Sequence, residues 1–224
     1  MIAGNHEYYN SNHYTKWSTT GCDTIEARDS MMEMLVSHFH NVHFLQKGTF
    51  DIPNSNIRIL GCTLWSDYDL YNIPVIEKYM NDFKYISLSN NDHITPYELL
   101  NIHRDHVSWL KMALTEATND KKEVIVMTHH LPHLGLIDEH YKGHPANSAF
   151  VTDMTPIMDR YKCIVNWFAG HSHSCKEILH TRSDNSTVLC TIHCHGYPDE
   201  HVKNYSTSKI VIIGSDRVFE DVTM

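Results

Sequence analysis

The stretch that most constrains this chain is Gly4-Asn5-His6-Glu7, which leads into Tyr8-Tyr9. Glycine before an amide, an imidazole and a carboxylate reads as a strand end breaking into a loop that aims polar groups at one point. Two later stretches end in the same manner. Glu123-Val124-Ile125-Val126-Met127 is a near-continuous apolar run, the pattern of a strand covered on both faces, and it passes straight into Thr128-His129-His130-Leu131-Pro132-His133. Cys163-Ile164-Val165-Asn166-Trp167-Phe168 reads as another strand and ends in Ala169-Gly170-His171-Ser172-His173-Ser174. Each follows a helical pattern. Two consecutive units of helix, strand and polar loop predict an α/β layered fold with functional groups at the carboxyl ends of its strands.

The clearest local signal is Thr95-Pro96-Tyr97-Glu98, a cap, a proline at the first helical position and a reciprocal carboxylate. It predicts a helix to about residue 118, in which His103 and His106 read as packed or surface residues without a catalytic role. Asp23 followed by Glu26 resembles a second capping box and predicts a helix over 23–38, with Met31, Met32 and Met34 as core and filler. Residues 41–45 and 56–65 are strand candidates around the polar Pro53-Asn54-Ser55 turn. Residues 66–91 form an aromatic excursion with a weak helix over 75–83, expected as a capping lobe or a loose insertion. A short helix is expected over 154–161, and further strands over 174–179, 187–192 and 209–213. The turn Ser183-Asp184-Asn185-Ser186 joins the first two of those strands.

With 224 residues, 42% of them apolar, the chain is expected to form a single domain over residues 1–224. Its net charge of −9 supplies no basic face for a phosphate backbone, so no nucleic-acid duplex is expected as a partner. No run of about 18 apolar residues and no leader pattern occurs, which predicts no membrane partner and a cytoplasmic location. The six cysteines include no CxxC pair and are expected as free thiols. Cys190 and Cys194 with His193 and His195 suggest a soft-metal site but lack a partner pair and the closed four-ligand spacing that a structural zinc site wants.

Nineteen histidines guarantee chance clusters, so loop context has to select among them. Neutral imidazoles with an amide oxygen suit manganese, iron, zinc or nickel better than magnesium or calcium. His171 and His173, in the loop after Gly170, can diverge toward two ions about 3.5 to 4 Å apart. His129 or His130 can add an imidazole and Asn5 an oxygen, while His6 ligates or faces substrate.

In this order, the three blocks resemble the last three signature blocks of the calcineurin-like metallophosphoesterases. Tyr8-Tyr9, Leu64-Trp65, Met80-Asn81-Asp82-Phe83 and Asn147-Ser148-Ala149-Phe150 resemble features of a bacterial-type subgroup. The resemblance implies a two-sheet sandwich flanked by helices (αββα), a dinuclear centre in loops at one end, and metal-dependent hydrolysis of phosphoesters. It implies Asn5, His129 and His171 as ligands of one ion and His173 as a ligand of the other. His6 is then the catalytic imidazole that steadies phosphoryl oxygens, Glu7 an acceptor that orients a neighbour, and His130 a residue that faces substrate or orients His129. The implied substrate is a phosphorylated small molecule or other phosphoester.

The family also carries two earlier blocks, Asp-x-His and Gly-Asp-x-x-Asp, the second of which supplies a bridging aspartate. Here Asp67-Tyr68-Asp69 lacks the histidine and Gly61-Cys62 lacks the aspartate. The chain is therefore expected to match the carboxyl-terminal portion of the family domain, N-terminally truncated, with an exposed sheet edge for a homodimer or an upstream complementary chain. Two cations without an anion between them repel, so one metal is expected to be lost. The alternative to a hydrolase is then a vestigial metal- or ligand-binding module without catalysis. Tyr68, Tyr71, His133, His140, Tyr141 and His144 are candidates for a substrate wall.

Overall fold

Thr95 starts the longest helix as its sequence predicts. In the computed structural model, which describes residues 1–9, 24–88 and 92–209, the Thr95 hydroxyl accepts from the Glu98 amide and the Glu98 carboxylate accepts from the Thr95 amide. The other helices are shorter. In chain order they are α1 (Ile25–Val36), α2 (Ile73–Tyr79), α3 (Asp82–Tyr85), the long α4 (Pro96–Asn119) and α5 (Thr155–Arg160).

Six strands, β1 (Gly48–Asp51), β2 (Ile57–Cys62), β3 (Glu123–Thr128), β4 (Ile164–Ala169), β5 (Cys175–Thr181) and β6 (Thr187–His193), form one mixed sheet in the order β1-β2-β3-β4-β6-β5. The four inner strands β2, β3, β4 and β6 run parallel, and the outer two pair antiparallel to their neighbours. Parallel pairing puts four carboxyl ends on one edge of the sheet. That edge therefore receives the loops that start at Thr63, His129, Gly170 and Cys194, which is where an open sheet of this kind gathers its chemistry.

The long helix α4 joins two apolar clusters. Its first turns place Leu99 and Leu100 with Ala3, Tyr8, Trp65, Ile76 and Ile86. Its later turns place Leu110, Ala113, Leu114 and Ala117 against Leu60, Val124, Val126 and Trp167 of the sheet. Burying this many fully covered aliphatic and aromatic side chains, each contributing about 1.5 to 3 kcal/mol, anchors the sheet edge rigidly.

Between the two clusters, both polar groups of one residue are held by imidazoles of α4. His103 Nδ1 donates to the Leu64 carbonyl at 2.7 Å, and the Leu64 amide donates to His106 Nδ1 at 3.1 Å. Leu64 and Trp65 have φ of +70° and +42°, so the chain after β2 turns through left-handed backbone that these two bonds retain. Just before them, the Thr63 carbonyl accepts from the amides of His129 and His130. The two helix histidines, expected as packed or surface residues, thus secure the turn on which the histidine loop rests.

Burial pushes His106 down to about 3, against an ordinary value near 6.5. Its folded-state value is the lower one, so this imidazole contributes stability above pH 6.5 that is lost progressively as the pH falls toward 3. Denaturant titrations at pH 7 and pH 5 should show a loss of about 2 kcal/mol from this group alone. A His106→Leu variant should be less stable at pH 7 and show a shallower pH slope.

Several local readings need correction. The cap of α1 is Thr24, whose hydroxyl accepts from the Ala27 amide at 3.2 Å; Asp23 lies outside the described residues. Met32 is buried, but Met31 and Met34 are 40% and 59% exposed, because α1 turns only one narrow stripe inward. Residues 41–45 are not a strand of the sheet: the His43 carbonyl and the Leu45 amide bond the first residue, Met1. The strand that pairs with β2 across the Pro53 turn is β1, a few residues later. The strand expected at 209–213 lies outside the described residues beyond Lys209. No helix among the described residues is long and apolar enough to cross a membrane.

Candidate metal centre

Gly4 is buried, and a Cβ added there would lie 2.6 Å from His129 Cε1. The glycine is thus required by the close approach of the His129 ring. Asn5 follows, 3% exposed, and its Oδ1 accepts from His129 Nε2 at 2.9 Å. The Asn5 amide nitrogen donates to Asp82 Oδ1 at 2.8 Å and lies 3.1 Å from the Tyr9 hydroxyl, which itself donates to Asp82 Oδ1 at 2.7 Å.

The end of β3 supplies His129 and His130, and the end of β4 supplies His171. Ring centroids of His129 and His171 are 4.9 Å apart, those of His130 and His171 4.5 Å apart, and Phe150 stacks on His171 at 4.6 Å. The Gly170 amide donates to the His129 carbonyl at 3.0 Å, which ties the two loops together. His171 and His173 have φ of +66° and +45°, conformations that cost non-glycine residues free energy and recur where loops are held for function.

His130 is fully buried, with Nδ1 3.3 Å from the Thr63 carbonyl. Its Nε2 has no hydrogen-bond partner, and neither does His171 Nε2 nor Asp82 Oδ2. An unpaired buried polar atom costs about 1 to 3 kcal/mol, so three beside one cluster mark a place built for more than packing. Burial pushes His129 down to about 3 and holds His130 and His171 well below the ordinary range. All three are neutral near pH 7, the state a metal ligand requires.

The donor set fits one divalent ion. Two cis ligands, each about 2.1 Å from a shared ion, lie roughly 3 Å apart, and the rings of two imidazoles on one ion have centroids about 4.6 to 5.3 Å apart. Asn5 Oδ1 and His129 Nε2, at 2.9 Å, and the rings of His129 and His171, at 4.9 Å, match both spacings. The unpaired Nε2 of His171 is the candidate third donor.

The residues expected at a second ion are engaged differently. His173 Nδ1 bonds Glu200 Oε2 at 2.7 Å, and that carboxylate oxygen also accepts from the Tyr197 amide at 2.8 Å. His6 is exposed, stacks on Tyr9 at 4.5 Å, and has Nε2 3.2 Å from the Tyr197 hydroxyl. Glu7 accepts from the Gly4 amide at 2.7 Å, and so steadies the turn that presents Asn5. Among the described residues, no three His, Cys, Asp or Glu side chains are arranged to hold a metal ion.

Asp82 stands in the sequence only as part of the Met80-Asn81-Asp82-Phe83 resemblance, and neither it nor Tyr197 nor Glu200 is marked there as a contributor to this cluster. Sequence reasoning also passed over the literal Asp-x-His triplets Asp138-Glu139-His140 and Asp199-Glu200-His201. In the first, Asp138 accepts from the His140 amide at 2.9 Å in an exposed turn. In the second, it is the middle residue, Glu200, that reaches His173. Of the expected substrate wall, Tyr68 is buried at 3% exposure and Tyr71 is 96% exposed, so neither lines an open cleft.

Comparison with known proteins places the architecture. No protein-family model matches the chain. An uncharacterized protein of Acanthamoeba polyphaga mimivirus is 24% identical over 197 residues, 85% of this chain, and the chain spans 65% of that protein's length. Among solved structures, phosphopantetheinyl hydrolase from Mycobacterium tuberculosis superposes with a TM-score of 0.62 at 16% identity, over 88% of this chain and 68% of its own. A dimetal phosphatase from Danio rerio superposes with a TM-score of 0.37 at 14% identity, over 65% of this chain and 48% of its own. The mixed sheet flanked by helices has the calcineurin-like metallophosphoesterase architecture, a likeness of fold.

Proposed function

We propose that this chain is a metallophosphoesterase-fold module that holds one divalent cation through Asn5, His129 and His171 and does not by itself hydrolyse phosphoesters. The observation that carries the reading is the 2.9 Å spacing of Asn5 Oδ1 and His129 Nε2 beside the buried, unpaired Nε2 of His171. Manganese, iron, zinc or nickel suits this mixture of imidazole and amide oxygen. Such an ion would supply positive charge to an oxygen of a phosphorylated small molecule.

The hydrolytic reading asks more of the cluster. It needs a second ion near His173 and a free imidazole at His6, whereas Glu200 engages the first and Tyr197 lies against the second. Among the described residues the carboxylate bonded to Asn5 is that of Asp82, and its Oδ1 is occupied by the Asn5 amide and the Tyr9 hydroxyl. The carboxylates of Glu200 and Asp82 at the cluster are each engaged, the first by His173 and the Tyr197 amide, the second by Asn5 and Tyr9. Two adjacent cations in a poorly solvated site repel strongly unless an anion lies between them.

The test is turnover of an aryl phosphomonoester and an aryl phosphodiester by the purified chain with added Mn²⁺ or Zn²⁺. The expected result is a rate equal to that of the metal alone. Turnover above that background that disappears in His171→Ala would replace this reading with the hydrolytic one.

A further inference from the structure

The amide of Asn5 has two ends of nearly the same size, and only its neighbours decide which end faces His129. On one side lies Asp82, the first residue of α3 and fully buried. Its Oδ1 accepts from the Tyr9 hydroxyl at 2.7 Å and faces the Asn5 side chain at 2.8 Å. That oxygen is an acceptor whether or not Oδ2 carries a proton, so the group of Asn5 that meets it must be the NH₂. The oxygen end is then turned to His129. A reversed amide would set oxygen against carboxylate on one side and N–H donors against the cation position on the other, unfavourable twice over.

We infer that Asp82, held by the Tyr9 hydroxyl, is a positioning residue that fixes the Asn5 amide with its oxygen toward the cation position. The inference rests on the one-cation reading and adds to it a residue that does not itself touch the cation. It also gives the aromatic excursion a use. The segment between β2 and α4 delivers Asp82 beneath Asn5, 77 residues away in sequence.

The test is titration of the full chain with Co²⁺, followed by visible absorption. Asp82→Ala frees the amide to rotate and should weaken Co²⁺ binding roughly ten- to a hundredfold, with a changed absorption envelope, as for other groups that orient metal ligands. Asp82→Asn keeps an oxygen acceptor and should bind within about threefold of the original chain, whereas Asp82→Leu, similar in volume but without an acceptor, should lose binding as alanine does; a purely space-filling role would let both bind alike. Tyr9→Phe removes one restraint on Asp82 and should weaken binding about threefold.

Asp82→Ala binding like the original chain, while Asn5→Ala loses tenfold or more, would overturn the positioning role and leave the one-cation reading standing. If Asp82→Ala does not fold, an unchanged affinity in Tyr9→Phe overturns the role instead. Absence of Co²⁺ binding in the original chain, or an unchanged affinity in Asn5→Ala, overturns both.

Discussion

Replacing His171 by alanine is expected to lower the affinity for a divalent cation by more than about a hundredfold while leaving the fold intact. The proposed site takes three donors, and loss of one imidazole leaves an amide oxygen and one histidine, a pair that competes poorly with water for any of the candidate metals. His171 is the most telling position of the three because its Nε2 has no partner in the protein. Removing it therefore breaks no internal hydrogen bond at that atom, and a loss of binding cannot be assigned to a collapsed network. His129→Ala, in contrast, also deprives Asn5 Oδ1 of its donor at 2.9 Å. Isothermal titration with Mn²⁺ reads the first effect directly, and a thermal melt of the metal-free variant checks that the sheet persists.

The second large effect is expected far from the site. Arg182, 3% exposed, follows β5 and reaches under α5 and β4. Its Nε donates to the Met158 carbonyl at 2.6 Å, and its Nη2 donates to the Ile164 carbonyl at 2.6 Å and the Tyr161 carbonyl at 3.3 Å. Its Nη1 donates to Ser186 Oγ at 3.0 Å. One planar guanidinium thus fastens the β5-β6 hairpin, the end of α5 and the start of β4 together, a task its fixed fork of donors suits. Arg182→Met fills similar volume but strands several buried carbonyls, and should cost about 3 to 5 kcal/mol. Arg182→Lys retains the charge but not the fork and should recover less than half of that loss. Denaturant midpoints for the two variants measure the difference.

The legibility of the chain follows from how local each signal is. The buried strands β3 and β4 announce themselves as apolar runs, and α4 is written in the four residues Thr95 to Glu98, because caps and periodicity act over one or two turns. The loops after those strands were visible for the same reason, as were the histidines in them. The position of β1 was not, since residues 41–45 look more strand-like than Gly48–Asp51 yet are bonded at His43 and Leu45 to Met1, a partner that local pattern cannot name. Arg182 was hidden next to a turn motif that reads as surface, although the residue itself points inward. The roles of Asp82, visible only as part of Met80-Asn81-Asp82-Phe83, and of Glu200 were hidden because they exist only once residues 77 and 27 positions away are brought to them. The positive φ angles at His171 and His173 likewise arise from the packed loop and leave no glycine or asparagine as a marker.

In the proposed site Asn5, His129 and His171 share one cation. Anomalous scattering from crystals grown with Mn²⁺ tests it most directly. The expected map holds a single peak within about 2.3 Å of Asn5 Oδ1, His129 Nε2 and His171 Nε2. A pair of peaks about 3.5 to 4 Å apart, with the second at His173, or a single peak away from these three atoms, would contradict it.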